Sequence, residues 1–175
     1  MQKLRNEELG RKTIEDYKQS QKIPVTVILE NVRSALNVGS VFRSADSFLI
    51  EKIILTGFTA TPPHKEVLKT ALGATESVDW EYIPESPSVI KQLRDKNYSV
   101  YAIEQAVNSL KLNNIKLNIN PVAIIFGNEV GGVSQETINL CDGCIEVEQF
   151  GTKHSLNISV CAGIVLYHFS GLYRK

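Results

Sequence analysis

The hydrophobic positions of this chain form short runs rich in branched residues, and segments with helical spacing separate these runs. That alternation predicts an α/β domain with a mainly parallel sheet flanked by helices. We predict strands at residues 25–30, 52–57, 79–83, 99–104, 121–127 and 143–148. The predicted helices cover residues 14–21, 36–48, 64–71, 87–97, 134–141 and 155–171.

Residues that favour helix N-termini stand at the start of several predicted helices. Asp16 follows a threonine by three residues, which is the spacing of a capping signature, and Pro87 suits the first turn of a helix. The predicted N-caps are Thr13, Ser86, Ser134 and Ser155.

The first residues of the chain differ in pattern from the rest. Residues 1–23 are predicted to form a polar, partly helical arm, and residues 24–175 a single domain. Apolar residues of the arm are too sparse for a core stripe; they are Leu4, Leu9, Ile14 and Tyr17. We therefore expect the arm to pack on the surface, on a partner subunit or on a substrate.

Composition narrows the class of protein. The chain has 175 residues, of which 43% are hydrophobic, enough for one domain with a sizeable core. We expect no membrane span and no secretory leader, and the three cysteines suit a reducing compartment, so a cytoplasmic protein is predicted. The formal net charge is zero, so any contact with nucleic acid must come from local patches.

A glycine-rich turn follows the apolar run Ile124-Ile125-Phe126 and holds three glycines within six residues. Glycines there allow the backbone to approach a ligand closely. The turn lacks the lysine of a phosphate-binding Walker loop and the glycine spacing of a dinucleotide site, and Glu129 would repel phosphate. A neutral or cationic ligand is favoured, although a tight corner remains an alternative.

A second polar segment, residues 31–46, lies where the first strand ends and the next helix begins. Ligands bind at the carboxyl ends of strands in open α/β sheets. Asn37 and Arg43 are six residues apart, about 240° around a helix, so they converge only if Asn37 lies in the loop or first turn. The alternative is that Asn37 caps the helix and Arg43 pairs with Asp46.

A third segment, residues 144–160, runs from a strand through a glycine loop into an apolar helix. Ser155 has a simple explanation as a helix cap, but Asn157 is a poor helix former whose amide needs partners if buried. Cys141 and Cys144 have the spacing of half a zinc site, but no second pair lies nearby, so no metal site is predicted.

These three segments, in this order, resemble the motifs of the SpoU, or TrmH, family of RNA ribose methyltransferases in the SPOUT superfamily. The resemblance covers roughly residues 24–170. Its motifs are similar to Asn37-x-Gly39-x-x-x-Arg43-x-Ala45, Phe126 to Val133, and Ile145 to Gly151 followed by Ser155 to Val160, with Gly73-Ala74 as a short additional element.

The resemblance implies a SPOUT-type fold with a deep C-terminal trefoil knot, S-adenosylmethionine as methyl donor, and a homodimer whose sites use residues of both subunits. The implied cofactor-binding residues are Phe126, Gly127, Asn128, Gly132, Ile145, Val147 and Leu156. The implied catalytic residues are Asn37, Arg43, Glu129, Ser155 and Asn157.

The implied reaction transfers a methyl group to a ribose 2′-oxygen of RNA, with transfer RNA favoured over ribosomal RNA. Because a guanidinium keeps its proton at neutral pH, we assign Arg43 to gripping the target phosphate and stabilising charge on oxygen. Basic residues of the arm and of the loop Thr59 to Lys69 are candidates for phosphate contacts.

One residue departs from the family pattern: Gln149 stands where a methionine is common, which changes the polarity expected near the cofactor. Two alternatives stay open. One is a catalytically idle RNA-binding module on the same fold, and the other is a nucleotide-binding enzyme of another α/β type.

Overall fold

The computed structural model describes residues 1–116 and 120–174. Its seven strands form one sheet with the order β3-β2-β1-β6-β4-β7-β5, and every described pair of neighbours is parallel. The strands are β1 (Ile23–Glu30), β2 (Ile50–Thr56), β3 (Asp79–Tyr82), β4 (Ser99–Ile103), β5 (Leu110–Lys111), β6 (Val122–Phe126) and β7 (Gly143–Glu146). The predicted parallel sheet is confirmed, and the trefoil knot stays a prediction.

The helices lie between the strands along the chain. They are α1 (Ile14–Gln19), α2 (Ala35–Ser47), α3 (Lys65–Ala71), α4 (Ala74–Ser77), α5 (Ser86–Arg94), α6 (Gln135–Leu140) and α7 (Ile158–Tyr173), with 3₁₀ turns at Asn6–Leu9 and Leu112–Asn114. None of the helices in the described ranges has both the length and the apolar character needed to cross a lipid bilayer.

The predicted N-caps divide into two confirmed and two wrong. The hydroxyls of Thr13 and Ser134 accept backbone N–H groups of α1 and α6, as expected. Glu85 precedes α5, so Ser86 lies inside the helix. Asn157 caps α7 by accepting the N–H of Ser159, so the predicted cap at Ser155 lies two residues too early. An amide oxygen caps a helix as well as a hydroxyl does, which explains the second error.

Hydrophobic layers cover both faces of the sheet. Strand β1 is buried on both sides, and its alternate residues point to opposite layers: Val27 and Leu29 to one, Ile28 to the other. The first layer holds the apolar faces of α2 and α7, and the second holds the apolar face of α5. Burial on both faces explains why β1 has a nearly continuous apolar sequence.

Helix α2 packs closely on α3 because Gly39 has no side chain. A Cβ atom at this position would lie 2.2 Å from the hydroxyl oxygen of Thr70 and 2.2 Å from the carbonyl oxygen of Val67. The apolar side chains of α2 are buried in the first layer, with Val38, Val41, Phe42 and Ala45 fully enclosed. Gly39 of the first motif therefore sets the distance between two helices.

The N-terminal arm reaches the hydrophobic core of the domain at Tyr17. Tyr17 is 4% exposed and belongs to the main hydrophobic cluster, while Leu4, Leu9 and Ile14 stay exposed. The ammonium group of Lys22 lies 4.1 Å from the centre of the Tyr17 ring. A single large aromatic ring can anchor a short helix without a core stripe, so packing of the arm on the domain surface agrees with one of the expected positions.

The strand order places a crevice at the carboxyl edge of the sheet. Strands β2 and β3 lie on one side of β1, whereas β6 and β4 lie on the other. Loops that leave neighbouring strands toward opposite sides open a ligand-binding crevice between them. The carboxyl ends of β1 and β6 flank this point, and both lead into predicted motifs.

Candidate active site

A cleft of about 1080 Å³ opens at the carboxyl edge of the sheet, between the loops that follow β4, β6 and β7. Six of the seven predicted cofactor-binding residues line it: Phe126, Gly127, Asn128, Gly132, Val147 and Leu156. Gln149 also lines the cleft. Ile145 instead lies behind the wall, fully buried, and its carbonyl accepts the N–H of Glu104 at 3.1 Å.

The loop after β6 is folded on itself by one asparagine. The side-chain oxygen of Asn128 accepts the N–H groups of Val130 and Gly131 at 2.9 Å each, and its amide donates to the carbonyl of Asn31 at 2.8 Å. The backbones of Asn128 and Gly132 also bond to each other. A Cβ atom at Gly127 would lie 2.1 Å from the backbone of Gly132, so the fold of this loop excludes a side chain there.

Glu129 at the tip of this loop bonds to the start of α2. Its carboxylate accepts the N–H groups of Arg33 and Ser34 at 2.8 and 3.0 Å and the amide of Asn37 at 2.9 Å. Burial raises the pKa of the Glu129 carboxyl, but the hydrogen bonds outweigh burial and hold the pKa below its ordinary value. The carboxylate is therefore charged at neutral pH.

Asn37 connects the first motif to the third. While its amide donates to Glu129, its side-chain oxygen accepts the amide of Asn157 at 3.2 Å. Asn37 lies in the first turn of α2, and Ser34 is the N-cap, so the interpretation of Asn37 as the cap is wrong. The hydrogen-bonded chain Asn157–Asn37–Glu129 brings one residue of each motif together at the edge of the cleft.

The other two predicted catalytic residues do not join this chain. Ser155 lines the cleft and is exposed. Arg43 lies in the C-terminal half of α2 and lines a different pocket. Among the described ion pairs Arg43 has no partner, and the carboxylate of Asp46 accepts the hydroxyl of Ser77 at 2.8 Å. The predicted pairing of Arg43 with Asp46 is therefore wrong.

Two cleft residues that the sequence did not indicate stand directly after β4. The carboxylate of Glu104 accepts the N–H of Val133 at 2.9 Å, and the amide of Gln105 donates to the carbonyl of His154 at 2.6 Å. A Cβ atom at Gly132 would lie 2.1 Å from the Glu104 carboxylate. Their position, polar and just past a buried strand, was the signal that could have identified them.

The cleft is lined by acidic side chains. Three carboxylates line it, those of Glu104, Glu129 and Glu146, and no lysine or arginine lines it in the described part of the chain. Hydrogen bonds from Ser109 and Lys111 lower the pKa of Glu146. The cleft thus favours a cation over an anion.

Two thiols face the same cleft, those of Cys144 and Cys161. Burial raises the pKa of Cys161 to about 11 and also raises that of Cys144, with the Glu104 carboxylate adding to both effects. Both thiols are therefore protonated at neutral pH, and neither is an activated nucleophile.

Several relatives of known activity resemble the chain over most of its length. A tRNA (guanosine(18)-2′-O)-methyltransferase of Thermus thermophilus is 28% identical, and the alignment covers 96% of this chain and 88% of the relative. A 23S rRNA (guanosine-2′-O-)-methyltransferase of Blochmanniella floridana is 29% identical, over 83% of this chain and 56% of the relative.

Solved structures share the fold, and a family model covers the domain. An AdoMet-bound rRNA methyltransferase from Sinorhizobium meliloti has a TM-score of 0.79 and 26% identity, over 89% of this chain and 58% of that one. The TrmH/SpoU tRNA modifying enzyme of A. aeolicus has a TM-score of 0.79 and 22% identity, over 92% of this chain and 80% of that one. The model of the SpoU rRNA Methylase family matches residues 24–167, so the chain belongs to that family.

Proposed function

We propose that this protein transfers a methyl group from S-adenosylmethionine to a ribose 2′-hydroxyl of RNA. The observation that carries the proposal is the hydrogen-bonded chain Asn157–Asn37–Glu129, which joins the three motifs at the edge of the cleft. The relatives named as RNA 2′-O-methyltransferases support the same reaction.

The cleft fits S-adenosylmethionine in size and in charge. A volume of about 1080 Å³ is ample for a nucleoside joined to an amino acid. Its carboxylates favour the sulfonium cation and oppose the phosphates of ATP or NAD. When bound, the cofactor supplies an electrophilic methyl group on its sulfonium sulfur.

Backbone and apolar groups of the chain would hold the cofactor. The loop from Gly127 to Gly132 offers main-chain groups, and Phe126 and Leu156 offer apolar surface. The carbonyl of Ile145 already accepts the N–H of Glu104, so it fixes the carboxyl end of β4. Gln149 would add a polar contact where the family resemblance predicts an apolar one.

The polar chain at the cleft edge orients the reacting ribose. Asn37 is fixed from both sides, since Glu129 accepts from its amide and Asn157 donates to its oxygen. Fixed groups of this kind need no reorganisation when the hydroxyl is aligned with the methyl group. Arg43 grips the phosphate of the target nucleotide and stabilises the charge that develops on oxygen.

We propose that a homodimer completes the site. The pocket that holds Arg43 and the cleft share no lining residue, which supports a site in which the arginine of one copy lies beside the cleft of the other. Helix α7 exposes three apolar residues at helical spacing, Val160, Ile164 and Tyr167, of which Tyr167 is 70% exposed. This stripe suits a second copy, and Gly163 in the same helix lines the Arg43 pocket.

The dimer is tested by Ile164→Asp. Charge in the middle of the α7 stripe should produce a monomer in sedimentation velocity and abolish methyl transfer, because burying an unpaired carboxylate is costly. Circular dichroism checks that the variant folds. A folded monomer with wild-type turnover would show that no second copy is needed.

Transfer RNA is the proposed substrate. The purified protein is incubated with labelled S-adenosylmethionine and separate pools of transfer and ribosomal RNA, and the labelled nucleotide is mapped. Label on a ribose of transfer RNA is the expected result. Label in ribosomal RNA alone would replace the substrate, and donor binding without transfer to either pool would favour the idle module.

Two further measurements test the cofactor and the arginine. Calorimetry should detect S-adenosylmethionine but neither ATP nor NAD, and binding of the latter two alone would contradict the cofactor assignment. Arg43→Lys should lose nearly all turnover while donor affinity is unchanged, because lysine lacks the planar fork that holds a phosphate. A fully active Arg43→Lys enzyme would refute the role given to this residue.

A further inference from the structure

A second pocket, of about 480 Å³, lies between α2, α3 and α7. It is separate from the cleft and holds Arg43 together with a second cation, Lys69. The remaining walls are hydroxyl-bearing and apolar residues, namely Ser40, Ser44, Ser47, Thr70, Phe48, Leu72 and Gly163.

Both cations of this pocket are uncompensated. The described ion pairs are Lys52–Glu81, Arg94–Asp142 and Lys111–Glu146, and no acidic residue lines the pocket. Two like charges without a counterion in a concave site create a local positive potential, although the net charge of the whole chain is zero.

The hydroxyl protons around the pocket are already used. Ser40 donates to the carbonyl of Leu36 at 2.9 Å, Ser44 to that of Ser40 at 3.1 Å, and Ser47 to that of Arg43 at 2.9 Å. Thr70 likewise donates to Leu36 at 2.8 Å. A ligand therefore meets two cationic donors, which selects an anion over a neutral polyol.

We infer that this pocket binds a backbone phosphate of the RNA substrate and that Lys69, with Arg43, holds it. The inference rests on the proposed function and adds to it a second phosphate-binding residue, Lys69, and the pocket that would hold the phosphate. The guanidinium supplies a fork that fits two phosphate oxygens, and the ammonium supplies a compact charge from the facing helix. An RNA phosphate fits better than a free anion, because the same arginine must lie beside the target ribose.

The test compares Lys69→Gln with Lys91→Gln. Both variants remove one positive charge. Lys91 is an exposed lysine of α5, which packs on the opposite face of the sheet, so it lies away from the proposed phosphate site. RNA affinity is measured by filter binding between about 50 and 200 mM salt. S-adenosylmethionine affinity is measured in parallel by calorimetry.

Loss of one phosphate contact should lower the slope of log Kd against log salt by about 0.7 and weaken RNA binding roughly fivefold in Lys69→Gln. Lys91→Gln should stay within about twofold of wild type. Lys69→Arg should restore most of the affinity, and donor affinity should not change in any variant. Equal RNA affinity and slope in the Lys69→Gln and Lys91→Gln variants would overturn the inference.

A free anion is distinguished by adding inorganic phosphate. Phosphate should compete with RNA for the wild-type protein more strongly than chloride at equal ionic strength, and this excess should vanish in Lys69→Gln. If Lys69→Gln loses phosphate competition but binds RNA normally, the pocket is a site for free phosphate and the inference fails. Failure of the proposed function is separate, since wild-type protein would then not methylate RNA, whether or not it binds the donor.

Discussion

Replacing Glu129 by glutamine keeps the shape of the side chain and removes its charge. In the native protein one carboxylate oxygen accepts from Ser34 and Asn37, and the other accepts from Arg33. The amide of glutamine supplies only one acceptor oxygen. If that oxygen keeps the two bonds to Ser34 and Asn37, the new NH₂ group faces the N–H of Arg33, and two donors then oppose each other.

The expected loss of stability follows from these three hydrogen bonds. A hydrogen bond to a charged group contributes about 2 kcal/mol and a neutral one about 1 kcal/mol, so the two retained bonds lose about 1 kcal/mol each and the third loses about 2 kcal/mol. Release of a partly buried charge and access of water to the site offset about half of this sum. We expect Glu129→Gln to lower the free energy of unfolding by about 2 kcal/mol.

Urea denaturation measures this loss. With a slope of about 2 kcal/mol per molar urea, the midpoint should fall by about 1 M. Glu136→Gln is the matched control, because Glu136 is exposed and its side chain has no described hydrogen bond; its midpoint should stay near wild type. Methyl transfer should fall in Glu129→Gln, since Asn37 loses its fixed partner. Equal midpoints in the two variants would refute the reasoning.

In the folded protein the pKa of Glu129 lies below its ordinary value of 4.5, so the charged carboxylate stabilises the fold at pH values above 4.5. This stabilisation is lost as the pH falls through the folded pKa. The urea midpoints of wild type and Glu129→Gln should therefore converge below about pH 4.5, and a constant gap would contradict this. Gly39→Ala should lower the free energy of unfolding by about 2 kcal/mol in thermal melts. The reason is that the steric clash of the new methyl group with the Val67 carbonyl costs more than alanine gains in helix propensity. A higher melting temperature than wild type would exclude the packing argument. Cys161, whose pKa is about 11 because of burial and the Glu104 carboxylate, should react slowly with iodoacetamide at neutral pH; rapid labelling in mass spectra would disprove the assignment.

The sheet was predictable because burial on both faces gives strands a continuous apolar sequence. Strand β6 appears in the sequence as Val122 to Phe126 without interruption and was predicted with its boundaries within a residue. Strand β5 was missed, since it has only two residues and pairs solely with β7 among the described strands. Helix α4 was missed for the same reason: four residues carry no periodicity.

Candidate site residues could be proposed from the sequence, but their arrangement could not. The family resemblance pointed to Asn37, Glu129 and Asn157, yet the bond between the two asparagines spans 120 positions of the sequence, and only the fold determines it. The resemblance placed Arg43 in the same site, whereas six residues of helix rotate it about 240° from Asn37. Glu104 belongs to no motif, and its contact with Val133 shows how it joins the site.

The rotation of Arg43 away from Asn37 separates the two charges that the reaction brings together. A sulfonium cation and an RNA phosphate require opposite surroundings, and each would be repelled by the site of the other. The cleft carries carboxylates without lysine or arginine among its described lining, and the α2–α3 pocket carries Arg43 and Lys69 without an acid. When a phosphate of the RNA strand enters the cationic pocket, the other phosphates stay outside the acidic cleft, and only the neutral ribose enters it. We therefore expect the same segregation of charge to orient the substrate as well as to select the cofactor, which would allow a chain of zero net charge to bind both ligands.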